Sequence, residues 1–191
     1  FGKQIFPDFL VEHAPTSLGN PISQPCTAGQ MDEDAYHQWC QRMELCPLYN
    51  RKVWEFCFML RALANAGVRK PGHRGLGFGV GKEPLPSVMA SAGCHVVATD
   101  LDIERASLAG WVDGSQHAAA LDDLFFSNLV GKTEFYEQVE HQYCDMNDIP
   151  DKLSGFDFCW SSCAFEHLGN IEKGLAFVEA SLRTLKPGGI A

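Results

Sequence analysis

Gly75-Leu76-Gly77-Phe78-Gly79-Val80-Gly81, followed by Lys82-Glu83-Pro84, decides how the rest of this chain is read. Glycines at alternate positions let a backbone turn sharply and approach a ligand with no Cβ in the way. A helix pattern follows at once in Pro86-Ser87-Val88-Met89-Ala90-Ser91-Ala92, so the turn is expected to present free N–H groups at a helix N-terminus. Nineteen residues beyond Gly81, Asp100 closes the apolar run Cys94-His95-Val96-Val97-Ala98-Thr99. Strand, glycine turn, helix, strand and terminal acid make the pattern of a nucleotide-binding βαβ unit, with the acid placed for ribose hydroxyls.

Spacing narrows the ligand. A dehydrogenase-type dinucleotide site needs GxGxxG. Counted from Gly75, Gly77 or Gly79, the third-glycine position holds Val80, Lys82 or Pro84. The run is GxGxG, which suits a ligand without a pyrophosphate. A tight strand-to-helix turn with no ligand would use the same glycines.

Composition sets the outer bounds. A chain of 191 residues is long enough for one domain with a real core. A net charge of -9 argues against a general affinity for DNA, RNA or anionic lipid, which needs clustered Lys and Arg. The one local basic patch is Arg69, Lys70, His73 and Arg74. The 8 cysteines include Cys57, Cys94, Cys144 and Cys159 inside apolar patterns, and no pair has CxxC spacing. Reduced thiols are expected, with no metal site. No apolar run approaches the roughly 18 residues of a membrane span, so the sequence reads as cytoplasmic with no membrane partner. It begins at Phe1 and stops at Gly189-Ile190-Ala191, and both ends are read as cut.

Three segments divide the chain. Residues 1–30, with Pro7, Pro15, Pro21 and Pro25, read as an extended N-terminal segment. Residues 31–70 read as a helical cap. Tyr36, Trp39, Cys40 and Met43 share one helical face, and Val53, Phe56, Cys57, Leu60, Leu63 and Ala64 form the stripe of a second helix closed by Gly67. Residues 71–191 alternate between strand and helix. Strands are expected near 73–77, 94–100, 139–144 and 156–161, and helices at 84–92, 103–110, from Ser115 through Phe125, and from Ile171 to Leu185 with Leu175, Val178, Leu182 and Leu185 on one face. Lys186-Pro187-Gly188-Gly189 is expected as a turn before a fifth strand at Ile190. Such alternation implies an α/β fold, a parallel sheet with helices on both faces.

Five of these stretches, in this order, resemble the class I, Rossmann-like S-adenosylmethionine-dependent methyltransferases over residues 70–191. Gly77-Phe78-Gly79-Val80-Gly81 is similar to the motif that wraps the methionine end of the cofactor. Asp100, followed by Leu101, is similar to the acid that accepts both ribose hydroxyls. Asp145 in Tyr143-Cys144-Asp145-Met146-Asn147 is similar to the acid that takes the adenine amino group, with the Met146 amide at the ring. Phe156-Asp157-Phe158-Cys159-Trp160-Ser161-Ser162 and Phe165-Glu166-His167-Leu168 resemble the fourth strand and the loop over the reactive centre. Leu185-Lys186-Pro187-Gly188-Gly189 matches the turn before strand five. The resemblance implies S-adenosyl-L-methionine as cofactor, and the net charge of -9 argues for a small-molecule acceptor rather than nucleic acid. The family sheet has seven strands, so this chain is expected to lack the last two.

Within that resemblance His167 is the candidate general base, with Glu166 beside it, although Glu-His-Leu after strand four also serves only to shape the loop. Ser161 is a candidate contact to cofactor or substrate. His117 faces either the cleft or solvent, His141 is expected to be structural, and Trp111 packs either on adenine or in the core. The family usually carries an acid two residues before the first motif glycine, where this chain has Gly75. Glu83 is either its substitute or an exposed helix-start residue. Two rival readings remain: a non-catalytic domain of the same fold, and an NAD(P) oxidoreductase disfavoured by the absent third glycine.

Overall fold

The computed structural model describes residues 16–108 and 117–191. Within them the strands β1 (Arg74–Phe78), β2 (His95–Asp100), β3 (Val139–Tyr143), β4 (Phe156–Ser161) and β5 (Leu185–Ile190) form a 5-stranded sheet in the order β3-β2-β1-β4-β5. Every pairing is parallel. The chain leaves central β1 toward β2 and β3, then crosses to β4 and β5. That reversal puts a topological switch point between β1 and β4, the place where open α/β sheets form a crevice at the strands' carboxyl ends. The fold is the Rossmann-like α/β class that the alternation implied.

β1 is a strand despite its glycines because of what lies across it. Gly75 pairs in register with Phe158 and Gly77 with Trp160. A Cβ on Gly75 would lie 2.3 Å from Phe158 Cε2, and one on Gly77 would lie 2.4 Å from Trp160 Cζ2. These two glycines make room for a stacked aromatic pair, with ring centroids 6.1 Å apart. The turn itself begins at Gly79. Gly79 and Gly81 have φ of +58° and +52°, a left-handed conformation that only glycine adopts without strain. One glycine run thus serves two purposes, packing in its first half and turning in its second.

Helices α1 (Ala28–Met31), α2 (Asp34–Arg42) and α3 (Arg51–Asn65) precede the sheet. α2 buries Tyr36, Trp39 and Cys40, with Met43 just past its end, on the face the sequence pattern gives. The Asn50 side chain accepts from the Lys52 and Val53 amides to start α3, and Gly67 at φ +68° follows its end. Trp54 is buried on α3 while Val53 is only half-buried and Ala64 is exposed, so its stripe is rotated from the expected one. Cys40 and Cys57 sulfurs sit 3.8 Å apart between the two helices. Both helices share one core with Phe158, Trp160 and α4 (Leu85–Ala90), every residue of which is buried. A smaller core lies on the other side of the sheet, under α7 (Ile171–Leu182).

Elsewhere the structure departs from the sequence reading. Residues 28–30, expected to be extended, form α1 together with Met31, and Thr27 and Gln30 make a capping box at its start. α5 (Ile103–Leu108) is followed by residues outside the described part, which include Ser115 and Trp111. The helix expected through Phe125 is a single 3-10 turn, Leu121–Leu124. Asp123 accepts from the Ala119 and Ala120 amides at its start, and Ser87 Oγ donates to Leu124 O and accepts from the Phe126 amide at its end. α6 (Lys132–Gln138) fills a stretch with no assigned element, because only Phe135 is buried and no apolar stripe marks it. Lys186-Pro187-Gly188-Gly189 lies inside β5 rather than before it. Phe156 pairs with Leu185 and Phe158 with Ile190, so these residues bulge out between the two pairings. On α7, Leu175, Val178 and Leu182 are 67%, 43% and 52% exposed. The helix docks instead through Phe177, whose ring meets Phe78 and Phe165 at 5.2 and 5.0 Å. Among the described residues no helix is long and apolar enough to cross a membrane.

Candidate functional site

The carboxyl ends of β1 to β4 converge on a small cavity of about 70 Å³, lined among others by Gly79, Asp100, Leu101, Asp145, Met146 and His167. They arrive from four strand ends. Gly79 opens the turn after β1, and Asp100 ends β2 with Leu101 just beyond it. Asp145 and Met146 follow β3, and His167 lies on the 3-10 turn Phe165–His167 after β4. Small-molecule pockets usually measure about 300 Å³ or more. A nucleoside therefore requires a wider cleft than this conformation offers.

The two acids of the cleft have internal partners. Asp100 Oδ2 accepts from the Gly81 amide at 3.1 Å and the Ala118 amide at 3.3 Å, and Oδ1 accepts from the Leu101 amide at 2.9 Å. His117 Nδ1 stands 3.3 Å from Oδ2 without the alignment of a hydrogen bond. His117 is only 4% exposed, which overturns its reading as a surface residue. Asp145 Oδ2 pairs with Arg105 Nη1 at 2.9 Å, and Oδ1 accepts from the Asn147 amide. Arg105 also reaches Asp102 at 3.4 Å. These ion pairs are partly exposed and so weakly held. On β3, burial holds the His141 imidazole below its ordinary value of 6.5.

The other residues singled out in the sequence stand outside the cavity lining. Gly77 is inside β1, where its carbonyl accepts from Thr99 Oγ1 at 2.8 Å. The Phe78 ring lies in the core against Phe177, so only its backbone faces the turn. Gly81 reaches the cleft through its bond to Asp100. Ser161 lines a separate apolar groove of about 360 Å³ with Phe58, Phe165 and Val178, and its hydroxyl has no hydrogen-bond partner among the described residues. Glu166 is exposed, 3.8 Å from Arg51. Among the described residues no group of three or more His, Cys, Asp or Glu is placed to hold a metal.

Two features were not legible beforehand. Glu83 is 1% exposed, not the exposed helix-start residue of one reading. Its Oε1 accepts from Trp160 Nε1 at 2.7 Å, and its Oε2 has no partner. Burial first of all pushes this carboxyl up from 4.5 to about 8. The second feature is Glu55 on α3. It accepts from Ser162 Oγ at 2.9 Å and Cys163 Sγ at 3.0 Å, and pairs with Arg51 at 3.0 Å. Cys163 holds φ +52°, a strained value for a side-chain-bearing residue. The Arg51–Glu55 spacing is visible in sequence as an i,i+4 pair, but its contact with the loop after β4 is not.

A parallel sheet of order 3-2-1-4-5 with a glycine turn after β1 and acids at the ends of β2 and β3 is the architecture in which nucleotide-binding α/β proteins are built. Residues 76–191 match the family model described as a methyltransferase domain, and the chain belongs to that family, the class I S-adenosylmethionine-dependent methyltransferases. No curated protein matches it. Among solved structures it is similar to a SAM-dependent methyltransferase from Geobacter sulfurreducens in complex with S-adenosyl-L-homocysteine, at 16% identity and a TM-score of 0.47, over 81% of this chain and 53% of that one. It is similar to the glycopeptide N-methyltransferase MtfA complexed with sinefungin, at 17% identity and a TM-score of 0.47, over 87% and 60%. A putative sarcosine dimethylglycine methyltransferase from Galdieria sulphuraria shares 18% identity at a TM-score of 0.45, over 81% and 56%. The chain therefore spans 53% to 60% of the length of these proteins.

Proposed function

We propose that this chain binds S-adenosyl-L-methionine at the carboxyl ends of β1 to β4 and methylates a small-molecule acceptor. The observation that carries this reading is the convergence of Gly79, Asp100, Leu101, Asp145, Met146 and His167 on one cavity from four strand ends. The residues fit such a group. A Cβ on Gly79 would meet Ala164 Cβ at 3.0 Å and Met146 Sδ at 3.2 Å, so the bare backbone leaves a cradle that any side chain would fill. Carboxylates and glycine backbone also suit an adenosine joined to a zwitterionic sulfonium, with no cationic clamp for a pyrophosphate.

Asp100 would take the ribose hydroxyls with the lone pairs its three amide bonds leave open. Asp145 would take the adenine amino group once Arg105 swings away, with the Met146 amide and Leu101 against the ring. The backbone of Gly77, Phe78, Gly79 and Gly81 would follow the methionine end. When bound, the cofactor supplies an electrophilic methyl group. The chain's task is then to orient the acceptor, exclude water and remove a proton where the acceptor carries one. His167 would take that proton, with Glu166 beside it. Ser161 opens on the apolar groove, where an acceptor would lie. The helices of residues 31–70 would act as a cap through Glu55 and Arg51, which already touch the loop after β4.

Calorimetry tests the reading. S-adenosylmethionine and S-adenosylhomocysteine should bind and NAD should not, and absence of heat with the first two would sink it. Asp100→Ala should weaken both about tenfold or more, the scale of lost charge-assisted hydrogen bonds. A non-catalytic domain of the same fold is the second reading, favoured by the internal engagement of both acids and the small cavity. Cofactor binding with no methyl transfer to any acceptor panel would select it.

A further inference from the structure

Glu83 Oε2 is the one buried carboxylate oxygen without a hydrogen-bond partner among the described residues. A buried carboxylate that lacks a cation is costly, and such a group stays neutral unless a cation is brought to it. No ion pair joins Glu83 to a described cation, and Lys52 acts on it only at longer range, against Asp100 and Glu55. Its position is specific. Side chains at 75 and 77 would project to the sheet face that carries Phe158 and Trp160. Phe158 occupies the space of any side chain at 75, so no acid can stand there. Glu83 returns to the same face after the glycine turn and reaches Trp160, two register pairs nearer the carboxyl end of the sheet than Phe158.

We propose that Glu83, fixed by the Trp160 indole N–H, receives the α-ammonium group of the cofactor's amino-acid end, replacing an acid that the Phe158 ring bars from position 75. This rests on the cofactor reading above. The ammonium would supply the partner that Oε2 lacks, and the indole holds Oε1 so that Oε2 faces the ligand. Gly81, two residues before Glu83, ties the same turn to Asp100 at the cleft.

The test is calorimetry on the protein with two probes, S-adenosylhomocysteine and 5′-methylthioadenosine, which lacks the amino-acid end. Glu83→Gln should weaken S-adenosylhomocysteine about 10- to 100-fold, the range of a charge-assisted bond, and leave 5′-methylthioadenosine within about twofold. Trp160→Phe, which removes the indole N–H, should shift the same ratio by a smaller factor, with circular dichroism melts showing both variants folded. A purely structural role would weaken both probes together, and that result, or an unchanged ratio in Glu83→Gln, overturns the inference while the cofactor reading survives. If the unaltered protein binds neither probe, the cofactor reading itself fails and takes the inference with it.

Discussion

Asp100 and Glu83 are each 1% exposed, and both lie against the turn that leaves β1. Asp100 is surrounded by donors, the amides of Gly81, Leu101 and Ala118. Glu83 has one donor, the Trp160 indole, and an oxygen with none. The difference separates two ways of using a buried carboxylate. At Asp100 the charge is satisfied by backbone and helps to hold the turn closed. At Glu83 one oxygen is left without a donor, and burial keeps the group protonated, and so uncharged, up to about pH 8. One acid organises the ligand-free fold, and the other waits for a ligand.

The comparison can be broken most severely at Gly75. Gly75→Asp would drive a Cβ into the Phe158 ring and bury a second acid, and should prevent stable folding, read as loss of the cooperative melt. If the variant folds normally, the steric account of Glu83 is wrong.

The next largest effect is on pH dependence. The folded-state value of Glu83 is raised, so between its ordinary 4.5 and about 8 the native state keeps a proton that the unfolded chain has lost. Its contribution to stability therefore falls as pH rises through that window and levels off above it, a total of several kcal/mol. His141 changes stability in the opposite sense and only below its ordinary 6.5, because burial lowers it. Denaturant melts of the ligand-free protein between pH 6.5 and 8.5 should thus show a decline that Glu83→Gln abolishes.

Asp100→Ala strands three amides and should cost about 3 kcal/mol in the same melts, at roughly 1 kcal/mol or more each. Arg105→Ala removes a partly exposed ion pair with Asp145 and should change stability by less than about 1 kcal/mol. A larger loss there would mean that the Asp145 corner of the cleft is as rigidly built as the Asp100 corner.

Most of the sheet was readable because its signals are local. Alternating apolar runs, glycine punctuation and terminal acids placed β1 to β4 within a residue or so, and the face of α2 followed the helical period while that of α3 came out rotated. The reading failed where local pattern and packing part company. α7 has an apolar stripe at Leu175, Val178 and Leu182, yet it docks through Phe177 and leaves that stripe exposed, because Phe78 and Phe165 offer an aromatic socket. α6 buries only Phe135 and so carries no stripe to read. Of the candidate site residues, those at strand ends gather on the cavity, since the parallel sheet brings its carboxyl ends together. Phe78 and Ser161 point elsewhere, because side chains alternate across a strand.

The sequence by itself determined the alternating βαβ order and the family of residues 76–191, since each depends on neighbours within a few residues along the chain. Only the tertiary structure decided the two roles of the glycine run. Gly75 and Gly77 are glycines because Phe158 and Trp160, some 83 residues away, lie across them, while Gly79 and Gly81 are glycines because the turn requires left-handed backbone. The same contact decided that Glu83 is buried against Trp160. Burial is a property of what the distant chain places alongside a residue, and no local spacing encodes it.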